Sequence, residues 1–205
     1  MGRNTEAKCR LCRREGEKLF LKGDKCYSEK CPVERRPYPP GMHRTWGKLQ
    51  QFGIHLREKQ KLKRTYGLRE EQFRRYVERA KKIKGVTGDY ILELLERRLD
   101  NIVYRAGLAT SRDHARQLVS HGHFMVNERS VNIPSFLVRP GDVVQVKQQS
   151  LAKTGIKNVL GAEHKGKKPS WIDSGNGTIR MLDKPNPQEI EQKIQMHLIV
   201  EFYSR

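Results

Sequence analysis

Residues 97–147 read RRLDNIVYRAGLATSRDHARQLVSHGHFMVNERSVNIPSFLVRPGDVVQVK, and within this stretch the apolar period changes. Leu99, Ile102, Val103 and Ala106 recur at three- and four-residue intervals and continue a stripe begun by Ile91, Leu92 and Leu95. That spacing is one face of an α-helix, so a single amphipathic helix is predicted from Asp89 to Ala106, with Gly107 as its C′ residue. Thr110-Ser111-Arg112-Asp113 carries the residue types that open a helix. A shorter helix is predicted from there to near Gly122, with Ala115, Leu118 and Val119 facing inward. Beyond His123 the helical period gives way to short β runs at 124–126, 130–133 and 143–146, with turns at Asn127-Glu128 and Pro140-Gly141-Asp142. Helices followed by antiparallel hairpins place the fold in the α+β class.

Toward the N-terminus, Phe73, Tyr76, Val77, Ala80 and Ile83 mark the inner face of a helix over 69–84. Its other face carries Arg74, Arg75, Arg79, Lys81, Lys82 and Lys84, side chains placed to cover phosphates. A basic helix is predicted over 45–66, punctuated by Gly67. The Pro-rich connector from Pro32 to Gly41 should be extended, because each proline constrains itself and its predecessor. Toward the C-terminus, 150–170 reads as polar loop with a short helix, and 178–182 and 198–203 read as strands. Asn176-Gly177-Thr178 fits a glycosylation sequon, which is treated as chance in a chain without a secretory signal.

The chain of 205 residues holds 42 Lys+Arg against 23 Asp+Glu, a formal charge of +19. The excess is uneven: residues 1–84 carry 25 cations against 10 anions, residues 85–205 carry 17 against 13. A polyanionic partner relieves such self-repulsion, and every neutralised phosphate also releases counterions. No apolar run reaches membrane-spanning length, no signal-peptide core is present, and Glu6 breaks the N-myristoylation pattern, so no membrane partner is expected.

All four cysteines fall in residues 1–31, spaced Cys9-x2-Cys12-x13-Cys26-x4-Cys31. Two close pairs separated by a dozen or so residues suit a structural zinc ion with four thiolate ligands, each pair wrapping a tight turn around the metal. Lys8, Arg10, Arg13 and Arg14 should favour thiolates over thiols. A disulfide pair needs an oxidising compartment, and a redox Cys-x-x-Cys needs a thioredoxin-like context; neither is visible. An iron–sulfur cluster also takes four thiolates, and ligand count does not separate it from zinc.

Arg112 and Arg116 stand four apart on one helical face and are placed to fork onto phosphates, with Arg98 and Arg105, seven apart, extending that surface. The helix start after Thr110 is itself an anion site, with Ser111 as a donor. Competing structural roles are an Arg98 ion pair with Asp100 or Asp113, and a helix-end role for His121 and His123. Tyr38, Trp46 and Phe52 serve either as base-stacking platforms or as packing anchors.

The run from Arg97 to Lys147 closely resembles the small RNA-binding module of the family of small-subunit ribosomal protein four. The likeness continues in Arg36-Pro37-Tyr38-Pro39-Pro40-Gly41, Leu56-Arg57-Glu58-Lys59-Gln60-Lys61, Tyr66-Gly67-Leu68, Gln72-Phe73-Arg74-Arg75-Tyr76 and Leu198-Ile199-Val200-Glu201-Phe202-Tyr203-Ser204-Arg205. The cysteine spacing is similar to the zinc-bearing bacterial branch of that family. The resemblance implies a non-catalytic, cytoplasmic constituent of the small ribosomal subunit. Such a protein binds the 5′ domain of small-subunit rRNA early in assembly, beside neighbouring ribosomal proteins. It lies near the channel by which mRNA enters and influences translational accuracy. It also implies a zinc-binding extension over 1–44, a mainly helical domain over 45–97 and 148–205 with C-terminal strands returning to it, and an inserted RNA-binding module over 98–147. The RNA contacts predicted on this basis are Arg35, Arg36, Tyr38, Arg44, Lys48, Arg57, Lys61, Arg74, Arg75, Arg98, Arg105, Ser111, Arg112, Arg116, Gln117, His121 and His123. One departure stands out. Family members often carry Asn-Gly at the hairpin where this chain has Asn127-Glu128, and a type I′ turn wants positive φ at both central residues.

Two other functional classes compete. An RNA-modifying enzyme needs a catalytic domain, but the residues outside the module are too few for one, and no P-loop, Gly-x-Gly-x-x-Gly or His-Glu-x-x-His motif occurs. A free RNA chaperone or translational repressor fits the charge equally well and differs in not following small subunits through a high-salt wash.

Overall fold

The computed structural model describes residues 6–42, 45, 47–152, 156, 168–190 and 194–204. Arg44, Trp46 and most of the loop and short helix expected over 150–170 lie outside the described residues. The chain divides into two compact units, Met1–Ile91 with Gln192–Arg205, and Leu92–Glu191. The second unit holds the stretch 98–147 together with the described residues of 148–190.

In the first unit, α1 (Lys8–Glu15), α2 (Asp24–Tyr27) and α3 (Pro32–Arg35) precede the longer α4 (Gln51–Thr65) and α5 (Glu70–Lys81). The connector expected to be extended thus begins with a helical turn: Pro32 occupies the first helical position, where its missing N–H costs nothing. The helix expected over 45–66 starts at Gln51, and the one over 69–84 ends at Lys81. The last element, α10 (Met196–Phe202), is a helix where strands were expected. Its β-branched residues favour a strand locally, but tertiary packing overrides them. Ile199 is fully buried, Phe202 lies 5.6 Å from the Phe52 ring, and Glu201 approaches His55 at 3.5 Å. Burying one such Ile contributes roughly 1.5–3 kcal/mol. The expected return of the C-terminus to the helices of 45–84 is observed, with Lys81 Nζ donating to the Tyr203 carbonyl at 2.7 Å.

The second unit takes its helices from α6 (Thr87–Glu96, whose first turns belong to the first unit), α7 (Leu99–Arg105), α8 (Arg112–Ser120) and α9 (Gln148–Leu151). Its strands are β1 (Phe124–Val126), β2 (Arg129–Ser130), β3 (Val143–Val146), β4 (Ile172–Gly175) and β5 (Thr178–Met181), in one antiparallel sheet ordered β2-β1-β3-β5-β4. The single helix expected over 89–106 is broken. Arg98 leaves helical geometry at φ −65°, ψ 137° and bridges to Leu137, restarting the helix at Leu99. In register, Phe124 faces Val146, Val126 faces Val144, Val144 faces Ile179 and Ile172 faces Met181. Alternation puts these residues on one face, where they bury against Leu99, Ile102, Val103, Ala115 and Val119.

Both hairpins turn through paired positive φ values. Asn127 and Glu128 stand at +46° and +65°, so the type I′ geometry forms despite the glutamate. Asn127 compensates: its side chain donates to Asp142 at 2.8 Å and accepts from the Val143 N–H at 3.0 Å. Asn176 and Gly177, at +48° and +78°, make the β4–β5 turn. The sequon residues are thus an Asn-Gly hairpin signal, and β4 is the strand the sequence reading missed.

Candidate nucleic-acid interface

The arginines of 97–116 separate into two groups once their partners are known. Arg98 is fully buried and grips Asp100 through Nε at 3.0 Å and Nη2 at 2.6 Å. Arg116, also buried, reaches the same carboxylate at 3.3 Å. Arg105 is buried and forks onto Glu96 at 3.0 and 2.8 Å. The expectation that Arg98 and Arg105 extend an outward cationic surface is therefore corrected, and Arg116 joins them inside. Burying a guanidinium requires a carboxylate, and this segment supplies Glu96 and Asp100 at the right places. Asn101 ties the groups together by donating Nδ2 to Glu96 at 2.7 Å.

Arg112 is the exception. It is half-buried, donates Nε to Asn101 Oδ1 at 2.8 Å, and lies over the Tyr104 ring at 4.6 Å. Ring and amide hold the guanidinium in one orientation at the first turn of α8, where helix amides and dipole also favour an anion. Ser111 is buried as the N-cap and accepts the His114 N–H at 3.2 Å, so its oxygen serves the helix start. Burial lowers the His114 imidazole below its ordinary value. Gln117 and His121 are exposed, and His121 is the C-cap of α8. His123 is half-buried and hydrogen-bonded to Ser150 Oγ at 3.0 Å. Arg129 and Arg139, absent from the predicted set, line a groove of about 490 Å³ together with Val131, Phe136, Leu137 and Asp142. Only their neighbouring turn residues hinted at their exposure.

The first unit also separates structural from outward cations. Arg57 and Arg64 both grip Glu15, whose side chain is 2% exposed; Lys61 pairs with Glu17 at 2.7 Å. The Glu15 pairs tie the end of α1 to α4 and the Glu17 pair ties the residues just after α1 to it, so Arg57 and Lys61, expected at RNA, are engaged within the protein. Burial raises the Glu15 carboxyl above its ordinary value, against the pull of Arg57 and Arg64. Lys59 and Lys63 hold Glu70 at 2.7 and 2.6 Å, and Tyr203 donates its hydroxyl to it at 2.7 Å. Partial burial pushes that carboxyl up, yet the three donors outweigh it and bring it down to about 2.

Arg74 and Arg75 are exposed on α5, each paired with a glutamate four residues away, a geometry that leaves the guanidinium largely in solvent. Arg35, Arg36 and Lys48 are exposed. Tyr38 is half-buried beneath Arg13, 4.7 Å from its ring centre, and so serves as a packing anchor.

The cysteine cluster is compact but is not a formed metal site. Cys9 and Cys12 share one face of α1, Cys26 lies in α2 and Cys31 precedes α3, so the first pair sits on a helix and not in the tight turn expected. Among the described residues, no group of three or more His, Cys, Asp or Glu side chains is placed to hold a metal ion. All four cysteines are free thiols. Burial pushes Cys12 up to about 11, opposed by the Leu19 backbone N–H and aided by the other three cysteines. Burial likewise raises Cys26, against N–H donors that include Lys22 at 3.4 Å. The donor set nonetheless suits a soft cation: four sulfurs in mutual electrostatic reach, with backbone amides already aimed at two of them.

Residues 3–96 match the family described as ribosomal protein S4/S9 N-terminal domain, and residues 97–144 match the S4 domain. The chain is 54% identical to small ribosomal subunit protein uS4 of Caldicellulosiruptor bescii over 96% of each chain. It is 54% identical to the protein of that name from Thermoanaerobacter sp. strain X514, and 51% to that from Pelotomaculum thermopropionicum, over the full length of both chains in each case.

Proposed function

The chain belongs to the ribosomal protein S4 family, and from that premise we propose that it is a structural, non-catalytic constituent of the small ribosomal subunit that binds small-subunit rRNA. The observation that carries this reading is full-length similarity, at 51–54% identity, to proteins named for that subunit. The geometry supports it. RNA helices are read through phosphates and 2′-hydroxyls more than through base edges, and the exposed cations of α5, with Arg112 at the start of α8, are side chains of that kind. In the finer reading, the 5′ domain of that rRNA is the primary target, bound early in assembly. Neighbouring ribosomal proteins and mRNA near its entrance are the further partners, translational accuracy the affected property, and the cytoplasm the location.

The test is binding to a 5′-domain transcript with excess tRNA as competitor, across a salt series. Affinity that survives tRNA, with log affinity falling by roughly 0.7–0.9 per neutralised phosphate per log unit of salt, supports the reading. Binding abolished by tRNA replaces it with that of a free RNA chaperone.

A structural zinc ion on Cys9, Cys12, Cys26 and Cys31 is part of the proposal. Its support is the ligand spacing, the grouping of the four sulfurs and the N–H donors that would stabilise thiolates. When bound, the ion would supply folding energy to a segment too short for a large core. Zinc analysis of anaerobically purified protein checks this; absence of the metal, with unfolding unaffected by chelator, removes it.

A further inference from the structure

We propose that Asn176, at the β4–β5 turn, is a self-modification site at which the chain's own backbone converts the asparagine into an isoaspartyl residue. Asn-Gly occurs once in the chain, at Asn176-Gly177. The structure sets this asparagine apart from the other described ones. Asn101 is buried, donates to Glu96 at 2.7 Å and accepts from Arg112 at 2.8 Å. Asn127 holds the matching position in the other hairpin, but both ends of its amide are engaged, by Asp142 and by the Val143 N–H. Asn186 accepts from the Gln188 N–H at 3.0 Å and precedes Pro187, which has no N–H to give up. Asn132 is exposed but precedes Ile133, whose β-branch crowds its own backbone nitrogen. Asn176 is exposed, its amide forms no hydrogen bond with another described residue, and a glycine follows it.

The reaction needs only water. The Gly177 backbone nitrogen loses its proton to hydroxide and attacks Cγ of Asn176. An N–Cγ bond forms, the Cγ–Nδ2 bond breaks, and ammonia leaves. Water then opens the resulting succinimide at one of its two carbonyls. One cut gives aspartate; the other gives an isoaspartyl link, in which the main chain runs through the side-chain carbons. Gly177 has no side chain to crowd its nitrogen, and its N–H donates to no backbone carbonyl among the described residues. Ring closure also requires the turn to open, because the side chain must swing toward the following nitrogen. β4 is an edge strand, held on one side only, so this hairpin opens more readily than the central strands. The product disturbs the same place. A type I′ loop is two ordinary residues long, and that length sets the register of Gly175 with Thr178 and of Ile172 with Met181. An isoaspartyl link lengthens the loop by one methylene and adds a carboxylate. Ile172 sits in the core, so a shifted register draws it out, and β4 is the element that loosens.

The experiment ages the reduced full chain in warm, mildly alkaline buffer, beside a synthetic peptide of residues 171–181 as the unfolded reference. Peptide mapping by mass spectrometry should show the segment carrying Asn176 gaining one mass unit. The gain should be slower than in the reference peptide and should quicken as pH rises, while the segments carrying Asn101, Asn127 and Asn186 stay unchanged. Labelling of the aged chain by an isoaspartyl carboxyl methyltransferase, with its sulfonium methyl donor, should grow in parallel. It should fall to background in Asn176→Gly, a variant that keeps a residue suited to positive φ. Conversion of the reference peptide with none in the protein overturns the proposal, as does equal conversion at Asn127. Mass gain without methyl labelling overturns the ring route, because direct hydrolysis of the side chain gives aspartate alone. Hydrogen exchange on the isoaspartyl fraction tests the consequence. The amides of Ile172–Gly175 should lose protection while those of α7 and α8 keep theirs; unchanged protection in β4 overturns the loosening of that strand.

Discussion

Arg98 and Arg35 are the same residue type and were both expected at RNA, yet they lie in opposite environments. Arg98, in the Leu92–Glu191 unit, is fully buried against Asp100, whereas Arg35, in the unit holding the N-terminus, is exposed and lines a cleft without a carboxylate. The pattern extends to their neighbours. Arg105 and Arg116 follow Arg98 inward, and Arg10, Lys25 and Lys30 follow Arg35 outward. Charge balance explains the division. Where cations and anions are nearly matched, arginines find partners inside the fold and work as structure. Where cations are in large excess, those left over face solvent.

The largest expected effect comes from breaking the inward set. Asp100→Ala leaves Arg98 buried without its carboxylate and removes the partner of Arg116, so unfolding of the full chain should lose about 3–5 kcal/mol. A loss under 1 kcal/mol would show that the pair is not the structural element described here. Arg116→Ala should follow the same direction, its defect appearing in stability before RNA affinity.

Arg112→Ala tests the boundary between the sets. RNA affinity should fall by about 1–3 kcal/mol while the melting transition moves little. An equal loss of stability and affinity would put Arg112 with the structural group.

A smaller effect is expected from pH. The folded-state carboxyl of Glu70 is held at about 2, below its ordinary 4.5, by Lys59, Lys63 and Tyr203. Its contribution is present in full above about pH 4.5 and is lost as pH falls toward 2. Because Glu70 is partly exposed, solvent screening reduces this to on the order of 1 kcal/mol. Urea unfolding of wild type and Glu70→Gln should differ at neutral pH and converge toward pH 2; a constant difference would assign the effect to packing.

The smallest effect should come from Arg74→Gln/Arg75→Gln. Exposed pairs one helical turn apart contribute about 0.3–0.5 kcal/mol each, so stability should barely change while the salt dependence of RNA binding flattens. A large stability loss would move α5 into the structural class.

Several readings were available from residue order because they depend on neighbours in sequence. The α8 start at Ser111, the strands at 124–126 and 143–146 and the inner faces of α5 and α7 follow from capping chemistry and apolar period. The β4–β5 hairpin was legible too, in Asn176-Gly177, but the residues were read as a sequon and the turn signal was passed over. Other features had no local signature. The break at Arg98 interrupts an apolar stripe that continues through it, because the Leu137 bridge and the Asp100 carboxylate hold the backbone out of the helix. The C-terminal segment Leu198-Ile199-Val200 has strand-like composition, and only the surface of α4 against which Ile199 and Phe202 pack makes it helical.

The sequence by itself determined the family, the α+β class, the unequal charge of the two parts and the grouping of cysteines, since composition, period and spacing are properties of residue order. Tertiary structure alone decided which cations are paired inside the fold and which stay exposed. Whether a guanidinium is spent inside depends on a carboxylate brought beside it by folding, as Glu96 is brought to Arg105 and Glu15 to Arg57 and Arg64. The cost of burying an unpaired charge makes that pairing obligatory wherever the chain closes over one.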